Sequence, residues 1–476
     1  MNTSYYNGIS GIKTQQFGID VWANNIANID MDGFKNSNPE FATVFSTTLS
    51  NQYFNPTSND VGMGSRAQTT SLDLRQGALK TTDSTFDLAL SDEGWFGLKG
   101  AGNQTYYTRT GSFELDKNGN LVDGNRMYLL GTSGKNITPF AGSNNVLDKF
   151  GKAYTADGIK QADLYSVKNI DNISLDSADT QTKITLPNFL YYPATATTNV
   201  TISANLNPHV ELDSSGDEIP NTEHFSANII SADGEKKLLD MTFTKETNQP
   251  NHENIWDGEI QLLSFYEKYD DSKTYDTTQY KVDRSANKVY KIEDTQNAQV
   301  QFTVDGSLQS ATIPTISNNG TDITINIGDI GKYNGFTSID TTAGIKNVSS
   351  DGKEDGILTK YRVDTNGTIM ADFTNGESTP VAKVAVYHFQ NDQGLDKASA
   401  TLLTQSANSG KAFFYKDKNG NDFDTTSVYS NRLEASNTQM STALTELILV
   451  QKAFDASAKS ITTSDQMIQK AINMKK

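Results

Sequence analysis

Hydrophobic side chains recur at every seventh position near the C-terminus. No Pro or Gly interrupts residues 431–476, so this segment is predicted to form one helix of about 40 residues, roughly 60 Å long. A strict repeat of seven is typical of helices that supercoil with a partner. The positions three residues further on are mostly small, which would let that partner approach closely. The repeat is carried by Leu433, Met440, Leu447, Phe454, Ile461 and Ile468, and the small row by Ser436, Ala443, Val450, Ser457, Ser464 and Ala471.

The N-terminal segment carries the same repeat on a shorter scale. Tyr5, Ile12, Ile19 and Ile26 are again seven residues apart. Three glycines among the first 18 residues weaken this helix by about 1 kcal/mol each relative to Ala, so we expect it to need a partner in order to fold. The C-terminal helix is the predicted partner, in a seam used for assembly. The pattern leaves one alternative open, namely that the two helices form the core of a monomeric bundle.

The residues between these helices show the period of β-strands. Apolar and polar side chains alternate in runs such as 200–206, 300–304 and 323–327, with Thr and Asn on the opposite face. Asn-Gly and Asp-Gly pairs between the runs are signals for hairpin turns. The pattern predicts antiparallel sheets with one face toward solvent. Residues 36–70, rich in Asn, Ser and Thr, are neither clearly helix nor clearly strand and are interpreted as an ordered connector.

Amide side chains cluster where the N-terminal repeat ends, in the stretch ANNIANIDMDGFK at residues 23–35. Asn24, Asn25 and Asn28 can cap a helix end and bond backbone groups without adding charge. Gly33 offers the left-handed conformation that ends a helix, and Phe34 can then anchor the chain into the next layer. From the residues alone, this is an ordinary helix C-terminus.

Charge is unevenly distributed along the 476 residues. The net charge is −17, yet residues 1–35 carry −1 and residues 431–476 carry +2, which leaves −18 for residues 36–430. An acidic middle argues against nucleic-acid binding, and near-neutral ends can pack against copies of themselves. The chain has no Cys, which excludes disulfides and thiolate metal sites. The N-terminus lacks the features of a cleavable signal peptide, and no apolar run near either end is long enough to span a membrane.

Candidate catalytic and metal-binding patterns are weak. The four histidines show no metal-ligand spacing. Two stretches that begin near Asp116 and Asp417 resemble calcium loops, but Met and Val occupy their twelfth positions where a Glu is needed. The stretch GTSGK at residues 131–135 lacks the first Gly of a phosphate-binding loop. We therefore predict a protein that is not an enzyme and has no catalytic, cofactor or metal site.

Several stretches resemble the bacterial flagellar axial proteins, the family of rod and hook subunits. The order of these motifs is specific, and the resemblance covers most of the chain. Two stretches, within residues 193–245 and 363–395, resemble the hook branch of the family. The motifs are NNIAN followed after four residues by GFK (24–35), DLALSDEGWFGLKG (87–100), YYTRTGSFELDKNGNLVDGNRMYLLG (106–131), PATATTNVTISANLNP (193–208), and LEASNTQMSTALTELILVQKAF at the start of 433–476.

The resemblance implies a structural subunit of the flagellar hook, which polymerises into a flexible helical tube and transmits motor torque to the filament. It implies several partners: other copies of the chain, the distal rod protein, the hook–filament junction protein, the hook cap during assembly and the flagellar export apparatus. It implies an extracellular location reached without a cleaved signal peptide, with no nucleic acid bound and no membrane insertion. Two alternatives stay open: a distal-rod or minor hook-like axial subunit, and a secreted oligomeric β-domain adhesin or binding module.

The expected fold is α+β and multidomain, with a terminal α-helical coiled coil and nested, mainly antiparallel β domains. The nesting is expected because both ends of the chain must reach one place, which brings the flanks of each insertion together. The predicted domains are residues 1–35 with 431–476 as a helical polymerisation domain, 36–70 with 406–430 as a connector, 71–160 with 356–405 as an inner β-domain, and 161–355 as an outer inserted β-domain.

Overall fold

The computed structural model describes residues 3–44, 47–48, 60–100, 102–139, 164–215, 218–247, 254–341, 346–423 and 425–474. Part of the predicted connector, at 45–46 and 49–59, lies outside the described residues, as do residues 140–163 at the predicted border between the two β-domains. Helices at both ends and a series of mostly antiparallel sheets make up the described chain, which confirms the predicted α+β, multidomain class.

The two helices lie at opposite ends of the sequence and pack against each other. The first, α1, spans Thr3–Ala27, and the second, α2, spans Met440–Met474. Residues near the start of α1 lie against residues near the end of α2, so the helices run antiparallel. We refer to α1 and α2 together as the helix pair.

The C-terminal helix starts later than the sequence predicts. Leu433, the first position of the predicted repeat, lies in the strand Arg432–Glu434, which pairs with Leu79–Thr81. The prediction that Leu433 belongs to a helical seam is therefore wrong. Helix propensities differ by only ~0.5 kcal/mol per residue among ordinary side chains, so backbone hydrogen bonds to a neighbouring strand can override them.

A large β body, the inner body, is assembled from two separated parts of the chain. Its main sheet has fifteen strands within the described residues and covers a core that includes Leu88, Phe96, Leu129 and Ile369. Because its strands come from both sides of the outer insertion, the inner body can close only after the chain has returned. The fifteen strands of the main sheet are Trp95–Lys99, Thr105–Thr108, Glu114–Leu115, Leu121–Val122, Tyr128–Ser133, Ile137–Pro139, Leu164–Val167, Thr182–Lys183, Phe189–Tyr192, Gly356–Val363, Thr368–Phe373, Ser378–Val384, Val386–Tyr387, Asp396–Lys397 and Leu403–Thr404. Two further two-stranded sheets of the inner body pair Leu79–Thr81 with Arg432–Glu434 and Leu88–Leu90 with Val428–Ser430.

Strands that the sequence assigns to the outer domain belong to the inner body instead. Leu164–Val167 pairs with Ile137–Pro139, and Phe189–Tyr192 pairs with Gly356–Val363. The predicted outer boundary at residue 161 is therefore too early. Hydrophobic alternation identifies a strand but not the sheet that it joins, which is why the sequence could not place this border.

The segment 406–430, predicted as a connector, also packs on the inner body. Val428–Ser430 pairs with Leu88–Leu90 in a two-stranded antiparallel sheet. Asp422 lies 3.1 Å from the ammonium of Lys383, and both side chains are almost fully buried. The sequence does not predict this packing, because a buried ion pair can hold a polar, turn-rich segment in place without any hydrophobic pattern.

The outer body is a sandwich of two sheets around a shared core. Val200, Ile202, Trp256, Ile323 and Phe336 are among the side chains that both sheets bury between them. The six-stranded sheet contains Thr222–Ile230, Lys236–Lys245, Asn254–Lys268, Tyr280–Asp283, Lys288–Phe302 and Leu308–Thr312, and the five-stranded sheet contains Asn199–Asn205, Ile316–Asn318, Thr321–Asn326, Phe336–Thr337 and Asn347–Ser350. A separate small hairpin pairs Glu211–Leu212 with Glu218–Ile219.

One predicted core position of the outer body is wrong. Val300 and Phe302 are buried, as their alternation predicts, but Val304 is fully exposed. The strand Lys288–Phe302 ends before Val304, which lies in a turn closed by the Thr303 amide donating to the Ser307 carbonyl at 2.9 Å. Alternation of apolar and polar residues predicts which side chains are buried only within a strand, and Val304 lies beyond the strand's end.

The connector contains a hairpin that lies along α1. Ser37–Thr43 pairs with Ser65–Leu72, and Thr47–Thr48 pairs with Asp60–Val61. The hydroxyl of Thr14 in α1 donates to the carbonyl of Ser65 at 3.0 Å. We refer to the Ser37–Thr43 and Ser65–Leu72 strands as the connector hairpin; they show that this segment has regular structure where the sequence predicted neither helix nor strand.

The outer body joins the inner body through two adjacent chain segments. Thr195 and Lys353 form an antiparallel bridge, with N···O distances of 2.9 and 3.0 Å between their backbone groups. An exposed ion pair between Lys236 and Glu354, at 2.5 Å, lies beside this crossing. The entry and exit of the outer body are therefore side by side.

Candidate assembly site: the helix pair and its junction with the inner body

Small residues make the contact between the two helices. A Cβ atom placed on Gly8 would lie 2.6 Å from Cγ1 of Ile461, and one placed on Gly11 would lie 2.7 Å from the hydroxyl of Ser457. A third glycine, Gly18, faces α2 in the same way, at 3.0 Å. The backbone of α1 approaches α2 this closely because these positions have no side chain. The glycines that weaken α1 in isolation are thus its contact surface.

The predicted seam residues border this contact, and its buried centre is formed by other positions. Trp22, Ala443 and Val450 form the buried cluster between the helices. Ala443 and Val450 belong to the row that follows the repeat by three residues. The predicted positions Ile12, Ile19, Ile26, Leu447, Phe454 and Ile461 are half-buried, whereas Tyr5, Met440 and Ile468 are exposed.

Large apolar side chains remain exposed on α2. Because α1 is ten residues shorter than α2, it does not cover the whole helix. A set of exposed apolar side chains of this size on one helix is typical of an interaction site. The exposed side chains, which we call the open face, are Met440, Leu444, Ile448, Leu449, Met467, Ile468, Ile472 and Met474.

The amide-rich turn after α1 redirects the chain through side-chain hydrogen bonds. The Asn25 amide is fully buried; its Nδ2 donates to the carbonyl of Ser37 at 2.7 Å, and its Oδ1 accepts from the Ser37 amide at 3.0 Å. Asn25 therefore bonds the start of the connector hairpin as a neighbouring strand would. Asn28 donates to the carbonyl of Asn24 at 2.8 Å, one helical turn back.

Gly33 and Phe34 fix the chain against the inner body. Gly33 has φ of +72°, and a Cβ there would lie 2.3 Å from the backbone nitrogen of Thr110. The Gly33 amide donates to the carbonyl of Glu434 at 2.6 Å. Phe34 is fully buried, with the ammonium of Lys397 5.2 Å from its ring centre. Only a glycine fits where these two backbones meet.

A buried cluster of charges lies directly beneath this turn. Glu434 is almost fully buried, and its Oε1 lies 2.7 Å from the ammonium of Lys35. Its Oε2 lies 3.4 Å from the guanidinium of Arg109, which is also buried. The amide of Gly77 donates to Glu434 Oε1 at 2.9 Å, and the Lys35 ammonium donates to the carbonyl of Arg75 at 2.7 Å. We refer to Lys35, Arg109 and Glu434 as the charge cluster.

Burial and the carboxylate act in opposite directions on the two cations. Desolvation lowers the pKa of Lys35 and of Arg109, because a buried cation loses its hydration. The negative charge of Glu434 and its hydrogen bonds oppose that lowering at both sites. Glu434 is therefore what keeps two cations acceptable in the interior.

A second amide extends these contacts to the connector. The Asn437 side chain accepts from the amide of Asn36 at 2.8 Å and donates to the carbonyls of Asp73 and Arg75 at 2.7 and 3.0 Å. Asn437 thus joins the segment before α2 to both sides of the connector hairpin. The start of α2, the end of the α1 turn and the inner body meet at one place, which we call the junction.

The sequence does not predict the charge cluster or the role of Asn437. Each of these residues lies within a motif that resembles the flagellar axial proteins, namely GFK, YYTRTG and LEASN. The available signal was a single charge inside an otherwise apolar or small-residue motif at Lys35, Arg109 and Glu434. Their partnership was not visible, because no periodic pattern relates residues this far apart in sequence.

Within the described ranges, no group of three or more His, Asp or Glu side chains is arranged to hold a metal ion. Neither α1 nor α2 combines the length and apolarity of a membrane-spanning helix. What the arrangement offers is a pair of helices with an open face, fixed to a β body by buried polar contacts.

Three family models match segments that meet in this site. The model described as "Flagella basal body rod protein" matches residues 6–35, and "Flagellar basal body rod FlgEFG protein C-terminal" matches residues 429–474. The model described as "Flagellar hook protein FlgE/F/G D1 domain" matches residues 89–205. The matched segments contain all but the first three residues of α1, the whole of α2 and all three members of the charge cluster.

Similar proteins extend the likeness over the whole chain. The flagellar hook protein FlgE of Borreliella burgdorferi is 26% identical over 488 aligned residues that cover 100% of both chains. FlgE of Salmonella typhimurium is 24% identical, with 99% of this chain and 100% of the relative covered. The crystal structure of Helicobacter pylori flagellar hook protein FlgE2 covers 75% of this chain and 100% of its own, at 16% identity and a TM-score of 0.49.

Gly11→Leu should separate the helix pair. The new side chain would overlap Ser457, and overpacking of a close contact costs about 1–3 kcal/mol, more than the helix propensity gained by replacing Gly. We expect faster proteolysis of residues 1–30 and a red-shifted emission from Trp22 in a background without Trp95 and Trp256. Gln16→Leu, at an exposed position of the same helix, is the matched control. Equal protease resistance of both variants would contradict the close contact.

Glu434→Gln should destabilise the junction. It removes the only carboxylate within salt-bridge distance of Lys35 and Arg109 among the described residues, and leaving buried cations unpaired costs about 3–5 kcal/mol. The measurement is urea unfolding followed by the fluorescence of Trp95, whose ring lies 5.3 Å from the Arg109 guanidinium. Glu114→Gln, exposed on the same body, should change little. A Glu434→Gln midpoint equal to that of the control would show that the cluster contributes no stability.

The stability of the inner body should fall between about pH 6.5 and pH 4 because of His388. Burial and the charge of Arg109 lower the pKa of His388 from 6.5 to about 4. Between these values the unfolded chain binds a proton that the folded chain does not, so stability decreases as pH decreases. His388→Gln should flatten this part of the pH profile of thermal unfolding, whereas His209→Gln, at an exposed position, should not. Parallel profiles for all three proteins would exclude His388 as the cause.

Proposed function

Because this chain belongs to the family of bacterial flagellar hook proteins, we propose that it is a structural subunit of the hook that polymerises through its helix pair and transmits torque through the junction. The observation that supports the proposal is that three distant segments of the chain meet at one place. Segments matched by three separate family models, at the two ends and in the inner body, are held together by the charge cluster. A subunit whose ends form the polymer needs such a fixed attachment.

The open face of α2 is the surface that neighbouring copies would cover. In the single chain, α1 already occupies the side of α2 that carries Ala443 and Val450. The remaining apolar side chains, among them Leu444 and Ile448, require a partner of similar character, and the helices of other copies supply one. Contacts between two different faces of the same helices are heterologous, and heterologous contacts whose rotation does not close a ring generate open helical polymers.

The junction supports the transmission of load. Force applied to the helix pair reaches the inner body through Glu434, Asn437 and the Gly33 contact, all of them buried or half-buried. The outer body is attached differently, through the pair of segments at Thr195 and Lys353 and an exposed ion pair. We infer that the rigid part of the polymer is its inner layer, while outer bodies move relative to one another as the tube bends.

We propose further partners and a location on the basis of the family. A hook subunit must join the distal rod protein at one end of the tube and the hook–filament junction protein at the other, and must be added beneath a cap. It would reach its extracellular position as an unfolded chain through the flagellar export apparatus. The absence of Cys supports this route, since no disulfide could lock the chain before it threads.

The two alternative functions have less support. A distal-rod subunit would share the terminal helices and the inner body, but the two relatives described above, which align over 99–100% of this chain, are hook proteins. An adhesin would form a closed oligomer, and nothing in the described residues favours closure over an open array. Neither alternative accounts for the alignment with hook proteins across the outer body.

Leu444→Asp and Ile448→Asp should block polymerisation without unfolding the monomer. Both side chains are about half exposed in the single chain, so the free energy of unfolding should change by less than about 0.5 kcal/mol. In the polymer each would bury a carboxylate in an apolar contact, at a cost of several kcal/mol that recurs in every subunit. The measurements are sedimentation and negative-stain electron microscopy.

The control for this experiment is Ser460→Asp, which adds the same charge at an exposed polar position of α2. It should assemble normally. Leu447→Asp is a less clean test, because Leu447 packs against the cluster around Trp22 and its loss would also weaken the monomer. Hooks of normal length from Leu444→Asp would remove the open face from the assembly mechanism.

A further inference from the structure

A group of aromatic side chains lies at one end of the longest strand pair in the outer body. Asn254–Lys268 and Lys288–Phe302 are paired along their whole length, and the chain between them carries the strand Tyr280–Asp283. Phe265 and Tyr266 are each 51% exposed here, far more than core aromatics are. We refer to residues 264–292 as the aromatic lobe.

The aromatic lobe contains a cleft lined by tyrosine rings. Tyr269, Tyr275 and Tyr280 line it together with Arg284 and Lys273. The ring centres of Tyr269 and Tyr275 are 6.0 Å apart, and the Arg284 guanidinium lies 5.6 Å from the Tyr269 ring centre. Tyrosines present large, stiff surfaces that lose little entropy on binding, which is why they are frequent in protein interfaces.

The aromatic lobe lacks the net negative charge of the chain between the two terminal helices, where residues 36–430 carry −18. Its 29 residues contain six basic and five acidic side chains, for a net charge of +1, whereas the whole chain carries −17. The lobe therefore repels an acidic surface of a second copy less than the acidic middle of the chain does on average. This local difference favours an acidic partner surface for the lobe.

A second exposed apolar group lies at the opposite end of the same strands. Val304 is fully exposed at the tip of its turn, and Ile330, Tyr333 and Ile339 are exposed beside it. The Tyr333 hydroxyl donates to the carboxylate of Asp305 at 3.0 Å, which holds the two loops together. Residues 303–340 contain four acidic and one basic side chain, a net charge of −3. We call Val304, Ile330, Tyr333 and Ile339 the distal patch.

The two groups lie at opposite ends of the strand pair. The ten strand residues 254–263 between them span about 34 Å at about 3.4 Å each, so the groups lie toward opposite ends of the outer body. They cannot meet within one molecule. They differ in shape and charge, since one is a cleft whose lining includes Lys273, Lys281 and Arg284, and the other is a projecting turn with an adjacent carboxylate.

We propose that the distal patch of one copy inserts into the aromatic lobe of the next copy, so that outer bodies dock head to tail. Val304 enters the tyrosine-lined cleft, and Asp305 lies next to Arg284. The contact is heterologous, so it continues indefinitely along a polymer instead of closing a dimer. The inference rests on the proposed function, because it needs copies brought into line by their helix pairs.

The test uses the absence of Cys from the natural chain. Thr274→Cys places a thiol at the lobe cleft, and Val304→Cys places one on the distal patch; both positions are exposed in the monomer. Full-length protein carrying both changes is polymerised, checked by negative-stain electron microscopy and treated with a short bismaleimide. We expect a ladder of covalent multimers under denaturing conditions. A 1:1 mixture of the two single variants should give dimers as its largest product, and each single variant alone should give monomers.

The control pairs Thr274→Cys with Asn297→Cys, an exposed position midway along the strand pair, and should give no ladder. Polymers that form normally while the double variant stays monomeric would overturn the head-to-tail contact and leave the proposed function intact. Dimers from Thr274→Cys alone would show that two lobes pair with each other, and would also overturn the head-to-tail contact. Failure of the unmodified chain to polymerise would count against the proposed function itself.

Discussion

A single buried carboxylate holds the two ends of this chain to its inner body. Glu434 and Lys35 are 399 positions apart in sequence, and Arg109 comes from a strand loop between them. None of the three charges is acceptable in the interior without the others, because removing an ion from water costs several kcal/mol that only a close opposite charge offsets. The cluster therefore forms as a unit, and the direction in which both helices leave the inner body depends on it.

The close approach of the helices depends in turn on this attachment. The turn after α1 is set by Asn25 and Gly33, and the segment before α2 is set by Asn437. The end of α1 and the start of α2 are thus both fixed, a short distance apart. Given that start, the glycine positions on α1 decide how near the two backbones can lie, and the remaining apolar side chains of α2 are left facing outward.

The periodic patterns of the sequence predict much of this structure, but only the parts that are determined by neighbouring residues. The repeat of seven predicted both helices, and the alternation around Val200 and Ile323 predicted buried strands. It failed at Leu433 and Val304, where a strand partner and a strand end override the local pattern. The glycines of α1 were interpreted as a weakness, because propensity measures an isolated helix and takes no account of a partner.

Most of the parts that the sequence could not predict involve distant partners. The charge cluster joins three segments with no common period, and the strand Phe189–Tyr192 finds its neighbour beyond the entire outer body. Pattern analysis identifies what each segment can form alone. Which sheet a strand joins, and which carboxylate meets which cation, are set by the packed whole.

The adjacent entry and exit of the outer body have a consequence for evolution. Because Thr195 and Lys353 already form a bridge, the ends of the inserted segment remain in place whatever is built between them. An ancestral chain could lengthen, replace or lose its outer body by recombination at this point without disturbing a single contact of the helix pair. Lineages could then vary the external surface and thickness of the tube while retaining the same inner architecture, and subunits with very different outer bodies would remain mutually compatible in their polymerising parts.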